Sequence, residues 1–360
     1  MHHRPTQAKI NLSAILSNYQ QAVKLAPKAQ QLAVIKADAY GHGAVDVAAY
    51  LEPHVPAFAV AFIDEALSLR AAGIDKPIVI LEGLSGEEEL RLAAQYNFWP
   101  LLHSNEQLIA LTALSPVPDL HCWLKVDTGM HRLGLTPVEA QSWVDKLTRL
   151  MQRKPVLASH FSCAEEPDSP ISMHQMQQLF ALAAHLDCEV SLANSAALTT
   201  LPQSAVGWNR PGIMLYGSSP IAGKSAAELG LQVAMTVTSQ IMAIRDVLPG
   251  ETVGYNCRWQ ADTPSRIATL PIGYADGYPR LINSASEVFL HGQRAKVVGT
   301  VSMDMLTIDV THIPQVQAGD EVELWGENIP VNEVAAHANT IGYELLTRVT
   351  QRMQRIYLRD

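Results

Sequence analysis

Cysteine is scarce in this chain: Cys122, Cys163, Cys188 and Cys257 are the only four in 360 residues. They are scattered and show no metal-ligand spacing, so no metal site is expected, and a reducing cytoplasm is the expected compartment. Long apolar runs are also missing. None reaches the ~18 residues a membrane helix needs, so no membrane partner is expected. The His-His-Arg start lacks the apolar core of a secretory signal. Basic residues are outnumbered, 26 Lys and Arg against 35 Asp and Glu for a net charge of −9, which argues against a nucleic-acid partner. No repeat, low-complexity tract or long linker interrupts the chain. What is present is ordinary globular material, 48% hydrophobic and 17% charged, in a length that suggests about two domains.

From about residue 30 the sequence alternates short apolar runs with helical patterns. The candidate strands are "LAVIKA", "AFAVAF", "PIVIL", "FWPLLH", "LHCWLKV", "PVLASH", "EVSLA" and "AVGW". Segments such as "DEALSLRAAG", "NEQLIALTAL" and "PVEAQSWVDKLTRLM" lie between them, with apolar residues at three- and four-residue spacing. Eight strands at near-even spacing predict an α/β fold, a (β/α)8 TIM barrel over residues 1–230, in preference to an open doubly wound sheet. After residue 230 the segments become β-rich, with turn signals "PGE", "HGQ" and "AGD". They predict a mainly-β domain over 231–360, closed by helical segments near its end.

The stretch "LAVIKADAYGHG" sets Lys36 at the end of an apolar run, where a lysine unrelated to function would simply reach out to water. Barrels of this kind carry their active sites at the C-terminal strand ends. There the chain places Lys36, Arg132 in "KVDTGMHRLG", His160 in "SHFS", Asn194 and Ser195 in "ANSAAL", and Arg210, Gly212 and Ile213 in "NRPGIMLYG". Any one of these reads equally well as a structural residue; the set at one rim does not. Loops after strands seven and eight commonly bind phosphate, with Ser195 able to donate and Gly212 allowing close backbone approach. A phosphate site beside a rim lysine suggests a phosphorylated aldehyde held as a Schiff base, which is pyridoxal 5′-phosphate chemistry. A cofactor-free Schiff-base aldolase shares the same lysine position.

"AVIKADAYGHG" resembles the cofactor-attachment motif of the alanine racemase family. The resemblance continues through "KVDTGMHRLG", "RPGIMLYG", "VGYNCRW", "IGYADGYPR", "VSMDM" and "YELLTRVTQRMQR", nearly the whole chain. It implies interconversion of L-alanine and D-alanine on a pyridoxal 5′-phosphate aldimine, supplying D-alanine for peptidoglycan or feeding alanine catabolism. Lys36 would hold the cofactor and serve one face of the α-carbon, and Tyr255 the other. Two bases on opposite faces of a planar carbanion are what a racemase needs. Tyrosine is a poor base unless neighbours favour its anion, and the resemblance assigns that help to a network including His160 and Arg210. Arg210 would face the pyridine nitrogen, and an always-charged donor there keeps that nitrogen unprotonated and limits side reactions.

The resemblance further implies that Tyr40, Ser195, Gly212, Ile213 and Tyr343 surround the phosphate. Arg132 would lie near the cofactor's phenolic oxygen and the substrate carboxylate, with Met303 and Asp304 beside that carboxylate. Tyr274 would act as a gate on side-chain size, and Lys125 matches a lysine sometimes carbamylated. The implied assembly is a homodimer in which Tyr255, Tyr274 and Met303 complete the partner's site. Three features depart from common family patterns: Thr300 where arginine is frequent, Glu165 where aspartate is frequent, and Asn256, Cys257 and Arg258 where small residues are frequent. They bear on entrance charge and substrate breadth, which keeps a broader-specificity racemase as the alternative. An amino-acid decarboxylase of the same plan would carry glutamate in place of Arg210. A non-catalytic pyridoxal-phosphate carrier would lack the second domain.

Overall fold

The computed structural model describes residues 4–114 and 120–359. Its first layer is a ring of parallel strands, and their sequences explain why they lie inside. Phe58–Val60, Ile78–Ile80 and Val156–Ala158 are buried at every position, as expected of strands covered on both faces. The ring continues through Phe98–Leu102, Trp123–Lys125, Val190–Asn194 and Trp208–Arg210. Residues 30–34 close it. Gln30–Gln31 pairs with Trp208–Arg210 on one side, and Ala33–Val34 pairs with Phe58–Val60 on the other. The eighth strand begins later than "AVGW" suggests because Gly207 turns at φ +60° against the Val190 carbonyl, leaving no room for a Cβ.

The surrounding helices follow from their patterns. Pro137–Met151 opens on a reciprocal cap, in which Glu139 N–H donates to Thr136 Oγ1 at 3.3 Å and Thr136 N–H donates to Glu139 Oε2 at 2.9 Å. It buries a stripe of Ala140, Trp143, Val144, Leu147 and Met151. At the bottom of the barrel Trp99 meets Trp208 edge-on with centroids 5.7 Å apart, and Trp123 packs at 5.8 Å from Trp208.

The second layer is a nine-stranded, mainly antiparallel sheet. Its members after residue 230 run from Met235–Gln240 to Glu321–Trp325, followed by the short helices Val331–His337 and Gly342–Thr347. Two further strands come from opposite ends of the chain. Gln7–Asn11 pairs antiparallel with Met235–Gln240 and parallel with Gln354–Leu358. The N-terminal strand therefore sits in the second sheet, a placement that division of the sequence at residue 230 does not anticipate. Across this layer Arg4 holds the fully buried Asp276 at 2.7 Å, and Arg352 bridges Asp276 at 3.5 Å and Asp304 at 2.6 Å.

Candidate active site

At the C-terminal rim of the barrel lies a cavity of about 490 Å3. It gathers Lys36, Tyr40, Lys125, Arg132, His160, Ser195, Arg210, Gly212, Ile213 and Tyr343, ten of the residues singled out in the sequence. The strands explain the convergence, because each delivers a charged or titratable residue at or just past its C-terminal end. Lys36 follows Ala33–Val34, Lys125 closes Trp123–Lys125, His160 follows Val156–Ala158 and Arg210 closes Trp208–Arg210.

Arg210 is buried and held from several sides. Its Nη1 donates to Ser191 Oγ, and its Nη2 donates to the Ser159 carbonyl at 2.7 Å and to His160 Nδ1 at 3.3 Å. Burial lowers the guanidinium pKa to about 10, which leaves it charged at neutral pH. His160 is driven well below its ordinary pKa by burial and then by Arg210, Lys125, Arg132 and Lys36, so it is neutral and Nδ1 accepts. Lys125 is brought down to about 7 by burial, then by Arg210 and Arg132, against the opposing pull of Glu82 and Asp127. An amine poised there is part-neutral and nucleophilic at physiological pH.

The opposite wall suits a phosphate. Ser195 Oγ accepts from Gly212 N–H at 2.9 Å and Met214 N–H at 3.4 Å, which leaves its hydroxyl hydrogen free to donate. A Cβ at position 212 would lie 2.6 Å from the Tyr40 hydroxyl, so only glycine brings the backbone this close. Tyr40 stacks on Tyr216 at 4.8 Å and lies 6.1 Å from Tyr343. Burial raises the Tyr40 pKa, and burial together with Glu165 raises Tyr343 to about 12, so both phenols remain protonated donors. Ile213 opens a 3-10 turn, whose first N–H groups lack acceptors within the turn. Three hydroxyls, backbone N–H groups and a lysine across the cavity fit the phosphate and aldehyde of pyridoxal phosphate.

Lys36 enters the cavity from an unusual backbone. Ala37, Asp38, Ala39 and Tyr40 all have φ between 52° and 55°, a left-handed turn built without glycine. Each such residue costs about 1–2 kcal/mol, so neighbouring structure must hold the turn.

Four predicted residues lie outside this cavity. Tyr255, Tyr274 and Met303 are 64%, 39% and 53% exposed, and Asp304 is engaged with Arg352. They occupy neighbouring loops of the second layer. Tyr274 N–H donates to the Ser302 carbonyl at 3.1 Å and Ala275 N–H to the Met303 carbonyl at 3.0 Å. Thr300 Oγ1 donates to the Tyr255 carbonyl at 3.2 Å. The chain thus presents two separate groups of site candidates, one concave and one projecting. The sequence reading missed Glu82, whose Oε1 is 3.8 Å from Lys36 Nζ. Its signal was available, since it follows the strand Ile78–Ile80 just as the other rim residues follow theirs.

A parallel barrel with a rim lysine, a charged arginine opposite and a serine-anchored phosphate wall defines a pyridoxal-phosphate barrel enzyme. Comparison with known proteins gives the family. Residues 10–220 match the model of the alanine racemase N-terminal domain, and residues 234–357 match that of the C-terminal domain. A curated alanine racemase from Alteromonas mediterranea is 46% identical over 355 residues, covering 98% of each chain. The crystal structure of biosynthetic alanine racemase from Pseudomonas aeruginosa superposes with a TM-score of 0.95 at 44% identity, covering 99% of each chain. That of Bartonella henselae alanine racemase, with covalently bound pyridoxal phosphate, gives 0.90 at 32% identity, covering 98% of this chain and 99% of that one. The chain belongs to the alanine racemase family.

Proposed function

We propose that this chain interconverts L-alanine and D-alanine with pyridoxal phosphate held at Lys36, and that Lys36 and Tyr255 are its two proton-transfer groups. Pyridoxal phosphate supplies, when bound, an aldehyde that a lysine amine holds and a conjugated ring that accepts the electron pair left by a broken Cα–H bond. The observation that carries the reading is the shared cavity of Lys36, Arg210 and the Ser195–Gly212 wall. Ser195, Tyr40 and Tyr343 would donate to the phosphate, with backbone N–H from Ile213, while Gly212, whose own N–H donates to Ser195 Oγ, allows the close approach. Arg210 would donate a hydrogen bond to the ring nitrogen without giving up its proton, leaving that nitrogen unprotonated, which favours reversible proton transfer over side reactions. Arg132 orients the substrate carboxylate, and Lys125, once carbamylated, would hold Arg132 in place. The position of Lys125 beside two arginines, with its pKa near 7, supports carbamylation by carbon dioxide, which would turn a repelling cation into an anion.

Tyr255, Tyr274, Met303 and Asp304 belong to the projecting group, so the second face of the substrate is served in a homodimer by the other copy. Tyr274 limits side-chain size there. Mixing Lys36→Ala chains with Tyr255→Phe chains tests this arrangement. Mixed dimers regain one intact site and activity rises above that of either parent; no gain on mixing refutes the shared site. The substrate reading is tested by chiral analysis of the cofactor-saturated protein incubated separately with L-alanine, L-serine, L-lysine and L-arginine. Rapid D-product from alanine is expected. Comparable conversion of the basic amino acids would establish the broader-specificity alternative instead.

A further inference from the structure

The left-handed turn 37–40 is held from outside the barrel, and its chief brace is Arg355, a residue of the C-terminal strand Gln354–Leu358 in the second sheet. Arg355 is 15% exposed at its side chain. Its Nε donates to the Gly41 carbonyl at 2.8 Å, and its Nη2 lies 3.2 Å from Asp38 Oδ2 and donates to the Val349 carbonyl at 3.3 Å. Asp38 Oδ1 in turn accepts from Ala44 N–H at 2.8 Å. On the barrel side Glu65 Oε1 accepts from Ala37 N–H at 2.6 Å, directly after Lys36. The exit of the turn packs closely on the second layer: a Cβ on Gly41 would lie 2.1 Å from the carbonyl oxygen of Leu346, in the helix Gly342–Thr347, and one on Gly43 would lie 1.9 Å from the side-chain hydroxyl of Tyr357, on the C-terminal strand.

From this geometry we infer that Arg355 is a positioning residue for Lys36. The turn after the lysine is intrinsically unfavourable, and among the described residues the only charged group that grips both its second residue and its exit is this guanidinium. With the brace in place the Lys36 amine points into the cavity. Without it the turn relaxes toward a right-handed conformation and the amine leaves the cofactor's reach. Tyr40 has a separate anchor in its stacking on Tyr216, so the phosphate wall outlasts the loss. The inference rests on the reading that Lys36 carries the cofactor.

The test uses the full-length protein freed of cofactor and two probes. Pyridoxal 5′-phosphate reports on the lysine and the phosphate wall together. Pyridoxine 5′-phosphate has the same ring and phosphate but no aldehyde, and reports on the wall alone. Borohydride trapping followed by peptide mapping identifies the lysine that is linked. In Arg355→Gln the affinity for pyridoxal phosphate is expected to fall about tenfold or more, the loss typical of a hydrogen bond to a charged group, with trapping at Lys36 reduced in step. Affinity for pyridoxine phosphate should be unchanged. Arg355→Lys should restore part of the loss, since it keeps the charge opposite Asp38 but not the fork. Asp38→Asn, at the exposed end of the contact, should show a smaller aldehyde-selective loss and decides the matter if Arg355→Gln does not fold. Equal losses for the two probes, or none for either, overturn the inference. Failure of the wild-type protein to trap at Lys36 overturns instead the cofactor reading beneath it.

Discussion

Gly212→Ala probes the phosphate wall through a contact that can be measured on the structure. The added Cβ would stand 2.6 Å from the Tyr40 hydroxyl, 3.3 Å from its ring carbon Cζ and 3.7 Å from Val34 Cβ. Ordinary contact begins at 3.4 Å, so the hydroxyl and position 212 must separate by 0.8 Å, the difference between 3.4 and 2.6 Å. Tyr40 has little freedom to comply, because its ring is buried and stacked on Tyr216 and its backbone is left-handed. Overpacking of this kind costs about 1–3 kcal/mol. If the cost falls on the pocket, cofactor affinity drops by roughly fivefold to a hundredfold, at about 1.4 kcal/mol per factor of ten. Titration with pyridoxal phosphate by absorbance gives the affinity, and thermal unfolding of the cofactor-free protein gives the share borne by the fold. Gly73→Ala is the control. Its φ of +86° imposes a backbone cost, but nothing lies within 4 Å of its Cβ, so it should lose stability and bind cofactor normally. A Gly212→Ala protein that binds cofactor as tightly as wild type and unfolds at the same temperature would refute the close approach and the wall built on it.

Other perturbations have equally definite signs. Lys125 releases its proton near pH 7 in the fold but near 10.5 when unfolded. The unfolded state therefore binds more protons across that window, and the penalty on the fold is full below about pH 7 and fades as pH rises toward 10.5. In carbon-dioxide-free buffer Lys125→Met should flatten this rise in thermal stability; an unchanged pH slope would contradict the assignment. Arg210→Gln strips partners from Ser191, the Ser159 carbonyl and His160, and should destabilise by about 1–3 kcal/mol. It should also raise the His160 pKa without fully restoring it, because burial remains, a change that imidazole NMR would follow. Asp276→Asn removes the buried carboxylate between Arg4 and Arg352; both arginines keep access to water, so the loss should be about 1–3 kcal/mol, seen as a lower midpoint in denaturant.

Much of this architecture is legible in the sequence because the barrel's signals are local. A run such as "PIVIL" is apolar at every position, which suits a strand covered on both faces, and "TPVE" spells out a helix cap. The rim rule of strand, then polar residue, brings out Lys36, His160 and Arg210 with no knowledge of contacts. What stays hidden depends on distant partners. "QAKIN" carries nothing to say that it joins a sheet formed by residues after 230. Nothing in "KADAY" announces a left-handed turn, since alanine and tyrosine have no left-handed preference, and the groups that hold it, Glu65 and Arg355 among them, are distant in sequence. The projecting loops with Tyr255 and Met303 were legible as family motifs, but sequence physics alone would leave Tyr255 an ordinary strand aromatic.

The pairing of Gln7–Asn11 with Gln354–Leu358 has a consequence for how the molecule comes into being. During translation the barrel strands emerge in the order in which they pair, each close to its neighbour, so the ring can assemble progressively. The first strand cannot. One of its edges waits for Met235–Gln240, and the other stays open until the last strand has left the ribosome. Arg355 arrives on that same strand. A nascent chain thus holds a completed ring well before its lysine turn is braced, and the amine that would capture a reactive aldehyde is set in place only after residues 354–358 have been made.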